Sequence, residues 1–387
     1  MSPNAPGPLE HITVLDLTRV LAGPFCTLVL ADLGARVIKV EHPERGDDAR
    51  HIGPFVGDRS AYFSSLNRGK ESIGLDLKNA EDRRHFEFLL NQADVLVENF
   101  RAGTMDRLGY GWEALHKQFP RLIYAAASGF GHTGPYASRP AYDMVVQAMG
   151  GIMSLTGPEG GPTTRVGTSI GDIAAGLFTA VGVNTALYHR ERTGEGLKID
   201  VSMLDSQVAL LENAIARFGA TGEVPGPVGS RHPSITPFGA FATADEPIVI
   251  AAGNNELFQR LCSALGDEKL AQTSAYATNA GRTQNQETLK QELEQALTQR
   301  SAAAWLEVLT EAGIPCGPIN DIAAVLADPQ VAARNMIIET REVDGTVLQM
   351  AGNPIKLSGF EDPAERTAAP ELDADRSRLL ANEPPEN

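Results

Sequence analysis

Gly167-Thr-Ser169-Ile-Gly171-Asp172 sets a serine and a carboxylate at the start of an apolar stretch, and either group could act as a nucleophile. Gly167 to Gly171 satisfies G-x-S-x-G, the sharp turn that exposes a catalytic serine between a buried strand and a helix. The residues before it, Gly161-Pro-Thr-Thr-Arg-Val166, make a poor buried strand, and the only downstream histidines are His189 and His232. A serine hydrolase is the weaker reading. Asp172 has two readings. It can be an N-cap that accepts backbone N–H bonds, or a carboxylate nucleophile kept ionised by the helix terminus. Gly167, Gly171 and Gly176 are expected to leave room for a large substrate. Periodicity does not choose between the two roles.

Other motifs point less clearly. Gly129-Phe-Gly131-His-Thr-Gly134 satisfies G-x-G-x-x-G after a strand, but Pro135 and Ser138-Arg-Pro140 follow, so no helix opens onto a phosphate. A better nucleotide signal lies at the start. Ile12-Thr-Val-Leu-Asp-Leu17, a loop, a helix from Phe25 to Ala35 and Val37-Ile-Lys-Val-Glu41 form one βαβ unit. Glu41 stands where a dinucleotide fold places its ribose-binding acid. The loop offers only Gly23, with Pro24 at the first helical position, so NAD is not expected. Cys26, Cys262 and Cys316 have neither C-x-x-C spacing nor a neighbouring histidine, which argues against zinc and disulfides and for a reduced cytoplasmic setting.

These groups must be positioned by a large fold. The chain has 387 residues, 42% of them hydrophobic, enough for two domains. Its net charge of −16 argues against nucleic acid and anionic membranes as partners. Met1 to Pro8 has no basic or apolar leader pattern. The apolar run Ile170 to Tyr188 carries Asp172 and Asn184 and reads as a buried helix packed by small residues, not a membrane span. Strands are expected at Ser72–Leu77, Val95–Glu98, Leu122–Ala127 and Leu197–Val201, alternating with helices at 80–92, 114–118 and 172–192. That rhythm implies an α/β fold with a mostly parallel sheet. One helix over 202–218 then leads into a Gly/Pro-rich linker at 219–235. A smaller α+β domain covers 236–328, and residues 329–387 return to the large domain of 1–218.

Taken together, the ordered blocks resemble a known family. Leu15-Asp-Leu-Thr-Arg-Val-Leu-Ala-Gly-Pro24, Gly34 to Glu41, Val97-Glu-Asn-Phe100 with Arg107-Leu-Gly109, Ser128-Gly-Phe-Gly131, Tyr142-Asp143, Gly171-Asp172 and Ile314-Pro-Cys-Gly-Pro-Ile319 are similar to class III CoA-transferases over essentially the whole chain. Gly229-Ser-Arg-His-Pro-Ser-Ile235 and Ala251-Ala-Gly-Asn-Asn255 resemble the branch that takes succinyl-CoA as donor and passes CoA to dicarboxylates. The resemblance implies a Rossmann-like large domain and an interlocked homodimer with its active site between domains. It implies Asp172 as the nucleophile, working through an aspartyl anhydride and an aspartyl-CoA thioester without metal. CoA contacts fall on Val20, Leu21, Ala22, Leu75, Lys78, Asn99, Phe100, Arg101 and Arg107, with Tyr142 and Asp143 beside them. Gly253-Asn254-Asn255 matches a glycine-rich lid, and Arg231 with His232 is a candidate clamp for the second carboxylate of the acceptor. Itaconate is the first choice of acceptor, ahead of hydroxymethylglutarate, mesaconate, citramalate and malate. Leu21 replaces a glutamine that contacts small acids, which disfavours oxalate. Related α-methylacyl-CoA racemases carry a histidine where Ala141-Tyr142 stands, so their proton-shuttling pair is incomplete here.

Overall fold

The computed structural model describes residues 6–342 and 344–384. Residues 1–5, most of the stretch read as lacking a leader, lie outside the described residues. The chain forms two compact units: 1–153 with 165–223 and 329–387, and 154–164 with 224–328.

The first unit is built on β1 (Thr13–Asp16), α1 (Ala22–Asp32), β2 (Arg36–Glu41), β3 (Glu71–Gly74), β4 (Val95–Glu98), β5 (Ile123–Ser128), α2 (Asp143–Met149), α3 (Ile170–Thr193) and β6 (Lys198–Ser202). The six strands are all parallel and lie in the order β3-β2-β1-β4-β5-β6, the order of the dinucleotide-binding fold. Successive residues face two different cores. Val14, Val37, Val95 and Ile123 pack with α1 and α3, while Leu15, Ile38, Leu96 and Tyr124 face Phe86 and Leu89. Burial of both faces explains why these strands read as continuous apolar runs. In α3, Ala175, Gly176, Thr179, Ala180 and Val183 are buried. A Cβ on Gly176 would stand 2.6 Å from the Ala22 carbonyl oxygen, so glycine is what lets α3 lie against α1. By length and composition alone α3 is long and apolar enough to cross a membrane. Half of its apolar window is buried, and Leu177, Phe178, Val181 and Tyr188 are exposed on the outer side. The helix expected to be buried by small-residue packing is therefore buried on one side only.

The second unit centres on an antiparallel sheet of β7 (Phe238–Phe241), β8 (Ile248–Ala251) and β9 (Cys316–Pro318), with β8 in the middle. Helix α4 (Asn255–Leu265) and helices at 286–297 and 302–311 cover it with Phe258, Leu261, Leu289, Leu293 and Trp305. Two boundaries differ from expectation. The single helix at 202–218 is two helices, Met203–Leu210 and Ala214–Thr221, broken where Glu212 takes a φ of 50°. The second of them runs through the start of the expected linker. Residues 154–164, far away in sequence, join the second unit.

Candidate active site

In an open parallel sheet the chain reverses direction between β1 and β4, and the loops beyond their carboxyl ends part to leave a crevice. A cavity of about 230 Å³ lies there, lined by Arg19 to Ala22 after β1, Asn99 to Arg101 after β4, and Ser128 with Gly129 after β5. Asp172, Tyr142, Arg139 and Met203 complete its wall. Eight sequence-predicted residues thus meet in one place: Val20, Leu21, Ala22, Asn99, Phe100, Arg101, Tyr142 and Asp172. Four others do not line it. Leu75 is buried in the core against Phe86 and Leu89, so its side chain has no face left for an adenine ring. Lys78 and Arg107 are exposed, and Arg107 donates to Thr104 Oγ1 at 2.9 Å. Asp143 is buried with both oxygens engaged.

Asp172 is not the N-cap. Ser169 holds that position and makes no side-chain cap bond, and Asp172 is the third helical residue. The carboxylate that serves the helix terminus comes from α2: Asp143 Oδ1 accepts from the Gly171 N–H at 2.8 Å, and Oδ2 from Gln147 Nε2 at 2.7 Å. Gly171 is required by this contact, since a Cβ there would stand 2.8 Å from Val146 and 3.0 Å from Asp143. Gly171 and Gly176 therefore serve helix packing, not substrate entry. Burial pushes the Asp172 carboxyl up to about 7, and the neighbouring Asp143 adds to the effect, against a backbone bond from Ala22 that favours the ionised form. The expectation that the helix terminus alone keeps Asp172 ionised fails because desolvation and a like charge outweigh it. Near neutral pH the group exists in both forms, which suits a carboxylate that must attack and then be released.

The loop that delivers the Ala22 N–H is strained. Val20 has a φ of 67°, the left-handed region that a β-branched residue rarely enters, at a cost of about 1–3 kcal/mol. Below it lies a fully buried set of charges. Lys39 Nζ sits 2.8 Å from Asp47 Oδ2, and Lys70 Nζ 2.9 Å from Asp16 Oδ2. Burial alone would raise the Asp16 carboxyl, but Lys70 and Lys39 hold it well below the usual range. Burial works the same way on Asp47, and Lys39 overrides it. Glu41 does not await a ribose. Arg50 grips both of its oxygens at 2.7 Å, and Ser72 donates to it as well.

Arg19, Arg139, Ser128 and Met203 line the cavity without having been anticipated. Arg19 lies over the Phe100 ring, 5.2 Å from its centre, and Arg139 over Tyr136 at 3.9 Å. Beneath Phe100, Glu98 accepts from the Phe100 N–H at 2.7 Å and from Tyr124 at 2.9 Å, while burial pushes its carboxyl up to about 7. One signal was available for the buried charges. A lysine inside the apolar strand Val37-Ile-Lys-Val40 must find a partner.

The other candidates belong to the second unit. Arg231 is paired with Glu159, Nε to Oε2 at 3.1 Å, and lines a separate cavity of about 240 Å³ within that unit. His232 stacks on Phe238 at 5.4 Å and accepts from the Ser234 N–H. Asn254 caps α4 by accepting from Leu257 N–H at 2.8 Å. Buried Arg282 donates to Asn255 Oδ1 and to the carbonyls of Gly253, Thr236 and Tyr276 at 2.7–3.1 Å. The asparagines that replace lid glycines thus serve a cap and an arginine.

Comparison with known proteins places these features in context. The family model described as CoA-transferase family III matches residues 9–376. The chain is 51% identical to the acetyl-CoA:oxalate CoA-transferase of Acetobacter aceti, over 96% of this chain and 95% of that protein. It is 40% identical to the succinyl-CoA:mesaconate CoA-transferase of Haloarcula marismortui, over 97% and 96%. The fold matches the crystal structure of a CAIB/BAIF family protein from Brucella suis with a TM-score of 0.85 at 39% identity, covering 97% of this chain and 99% of the other.

Proposed function

The chain belongs to CoA-transferase family III, and on that premise we propose that it moves CoA from an acyl-CoA, succinyl-CoA first, to a dicarboxylic acid through covalent attachment at Asp172. The observation that carries this reading is the half-buried Asp172 carboxylate at the wall of the switch-point cavity, facing the Ala22 N–H. An Asp172 oxygen attacks the donor thioester carbonyl, and CoA leaves as thiolate, forming a mixed anhydride. The thiolate then attacks the aspartyl carbonyl, expelling the donor acid and leaving an aspartyl-CoA thioester. The acceptor carboxylate attacks that carbonyl and frees the thiolate again. Thiolate attack on the acceptor side of the new anhydride releases acceptor-CoA and regenerates the carboxylate. At each aspartyl intermediate the Ala22 N–H can serve the carbonyl oxygen where negative charge develops.

Arg19, Arg101 and Arg139 ring the cavity and suit the phosphates of CoA, with Phe100 and Val20 as apolar surface for its base. Lys78 and Arg107, outside the cavity wall, are proposed for the outlying phosphate. No histidine lines the cavity, which counts against the racemase alternative. Likeness to an oxalate enzyme weighs against reading Leu21 as a bar to oxalate. Oxalate is therefore tested first, with itaconate, mesaconate, citramalate and hydroxymethylglutarate beside it. The exposed apolar flank of α3 supports the homodimer that the resemblance implies. Arg231 remains a proposed clamp only if acceptor binding competes with Glu159 for it.

Hydroxylamine added with succinyl-CoA converts an aspartyl anhydride or thioester into a stable hydroxamate. Mass spectrometry of the intact protein should find the modification on Asp172 and none in Asp172→Ala. Confirmed CoA binding without any modification would refute the covalent route.

A further inference from the structure

We propose that Lys39 and Asp47 are positioning residues for the transfer: together they hold Val20 in left-handed backbone, so that the Ala22 N–H faces Asp172. The inference rests on Asp172 being the nucleophile and adds what fixes the geometry around it.

Every backbone polar group from the Thr18 N–H to the Val20 N–H is bonded by a side chain from elsewhere in the sheet or beside the turn. Thr18 N–H donates to Asp16 Oδ1 at 2.9 Å, and its carbonyl accepts from Lys39 Nζ at 2.8 Å. Arg19 is bracketed by one residue, donating to Asn99 Oδ1 at 2.8 Å and accepting from Asn99 Nδ2 at 2.7 Å. Val20 N–H donates to Asp47 Oδ1 at 3.0 Å, and that oxygen also takes the Ala49 N–H at 2.9 Å. Lys39 joins the two ends, donating to the Thr18 carbonyl at 2.8 Å and forming an ion pair with Asp47 Oδ2 at 2.8 Å. Asp47 is itself braced by its N–H to Glu41 Oε2 at 2.9 Å.

Neither side chain of the Lys39–Asp47 pair is exposed at all. Burying two charges is costly, and an apolar pair of similar volume often packs at no loss of stability. What an apolar pair cannot do is accept the Val20 N–H and donate to the Thr18 carbonyl. Released from those bonds, a β-branched residue leaves positive φ, and the peptides that follow turn with it. The next residues are Leu21 and Ala22, at the free N-terminus of α1, where no side chain caps the helix. The clamp therefore determines where the Ala22 N–H, free of any side-chain cap, points, and Ala22 lies beside Asp172 in the wall of the same cavity.

The test uses charge-matched pairs, because removing Asp47 alone would strand Lys39 as a buried ammonium. Lys39→Met with Asp47→Asn retains an acceptor for Val20; Lys39→Met with Asp47→Ala does not. The Asn pair should keep kcat within about fivefold of the parent, whereas the Ala pair should lose about 10–100-fold in kcat with a smaller change in KM for the donor. Adding Val20→Gly to the Ala pair should recover at least about fivefold in kcat, since glycine adopts positive φ without steric cost. A merely structural pair would gain nothing from a further loosening residue. Equal kcat in the Asn and Ala pairs, or a folded Ala pair that Val20→Gly fails to improve, overturns the inference. Hydroxylamine trapping of the parent separates the two levels. If the parent gives no hydroxamate at Asp172, the nucleophile reading itself falls. If the parent and the Ala pair label at the same rate, only the positioning role does.

Discussion

Replacing Asp172 with Asn should abolish transfer and also make the unliganded protein more stable, but only above about pH 4. In the fold the carboxyl titrates at about 7 instead of 3.8, because burial and Asp143 penalise its charge. Below pH 4 both the folded and the unfolded chain hold the proton, and the raised value costs nothing. As pH rises through this window the unfolded state releases its proton first, and stability falls until the folded group also ionises near 7. A shift of about three units sets a ceiling of ~4 kcal/mol, and partial exposure of the group reduces this to ~2 kcal/mol. Asn keeps an oxygen for the Ala22 N–H and has no charge to desolvate. The variant should therefore match the parent near pH 4 and exceed it by ~2 kcal/mol at pH 8, or ~2–5 °C in Tm. Trp112 and Trp305 lie one in each unit, so urea unfolding followed in a Trp305→Phe background reports on the first unit alone. An offset that is constant from pH 4 to 8, or a parent more stable at pH 8, would refute the electrostatic account.

The acid limb of the kcat profile should have a midpoint near 7, where Asp172 loses its proton, and Asp143→Asn should move that midpoint down by removing the like charge. Gly176→Ala should cost ~1–3 kcal/mol and reduce activity by prising α3 from α1, measured by urea midpoint and initial rate. Gly167→Ala, with nothing within 4 Å of its new methyl, should leave stability unchanged. Arg282→Met strands the carbonyls of Thr236, Gly253 and Tyr276. It should lower stability by ~3 kcal/mol or more, followed through Trp305 fluorescence.

The large sheet could be read from residues alone because both of its faces are buried. Val14-Leu15, Val37-Ile38 and Ile123-Tyr124 each send one side chain into either core, which leaves uninterrupted apolar strands. The strand Ile337–Arg341 escaped notice since its residues alternate between buried and exposed along a short, charged segment. At the site, Asp172 was legible as a candidate, but the Asp143 that serves its helix terminus and the burial that raises its carboxyl were not. Asp143 lies 28 positions from the amide it accepts, and nothing local in either segment announces the pairing. Leu75, a CoA contact that the resemblance implied, packs inward instead, because its neighbours in space come from the helix at 80–90. The charges under Val20 come from four separate segments and converge only when β1, β2, the loop after β2 and the residue before β3 are in place.

Helix α3 is a single rod of 24 residues, ~36 Å from end to end, with Asp172 in its first turn and Val181 and Tyr188 open on its flank. A straight helix transmits displacement along its axis with little loss. Whatever grips the flank therefore acts on the same rod that carries Asp172 into the cavity wall. A second copy that covers Val181 and Tyr188 would make specific activity depend on protein concentration. Dilution would then silence the enzyme while its sheet and both cores stayed intact, and adding back inactive Asp172→Ala protein would restore the rate.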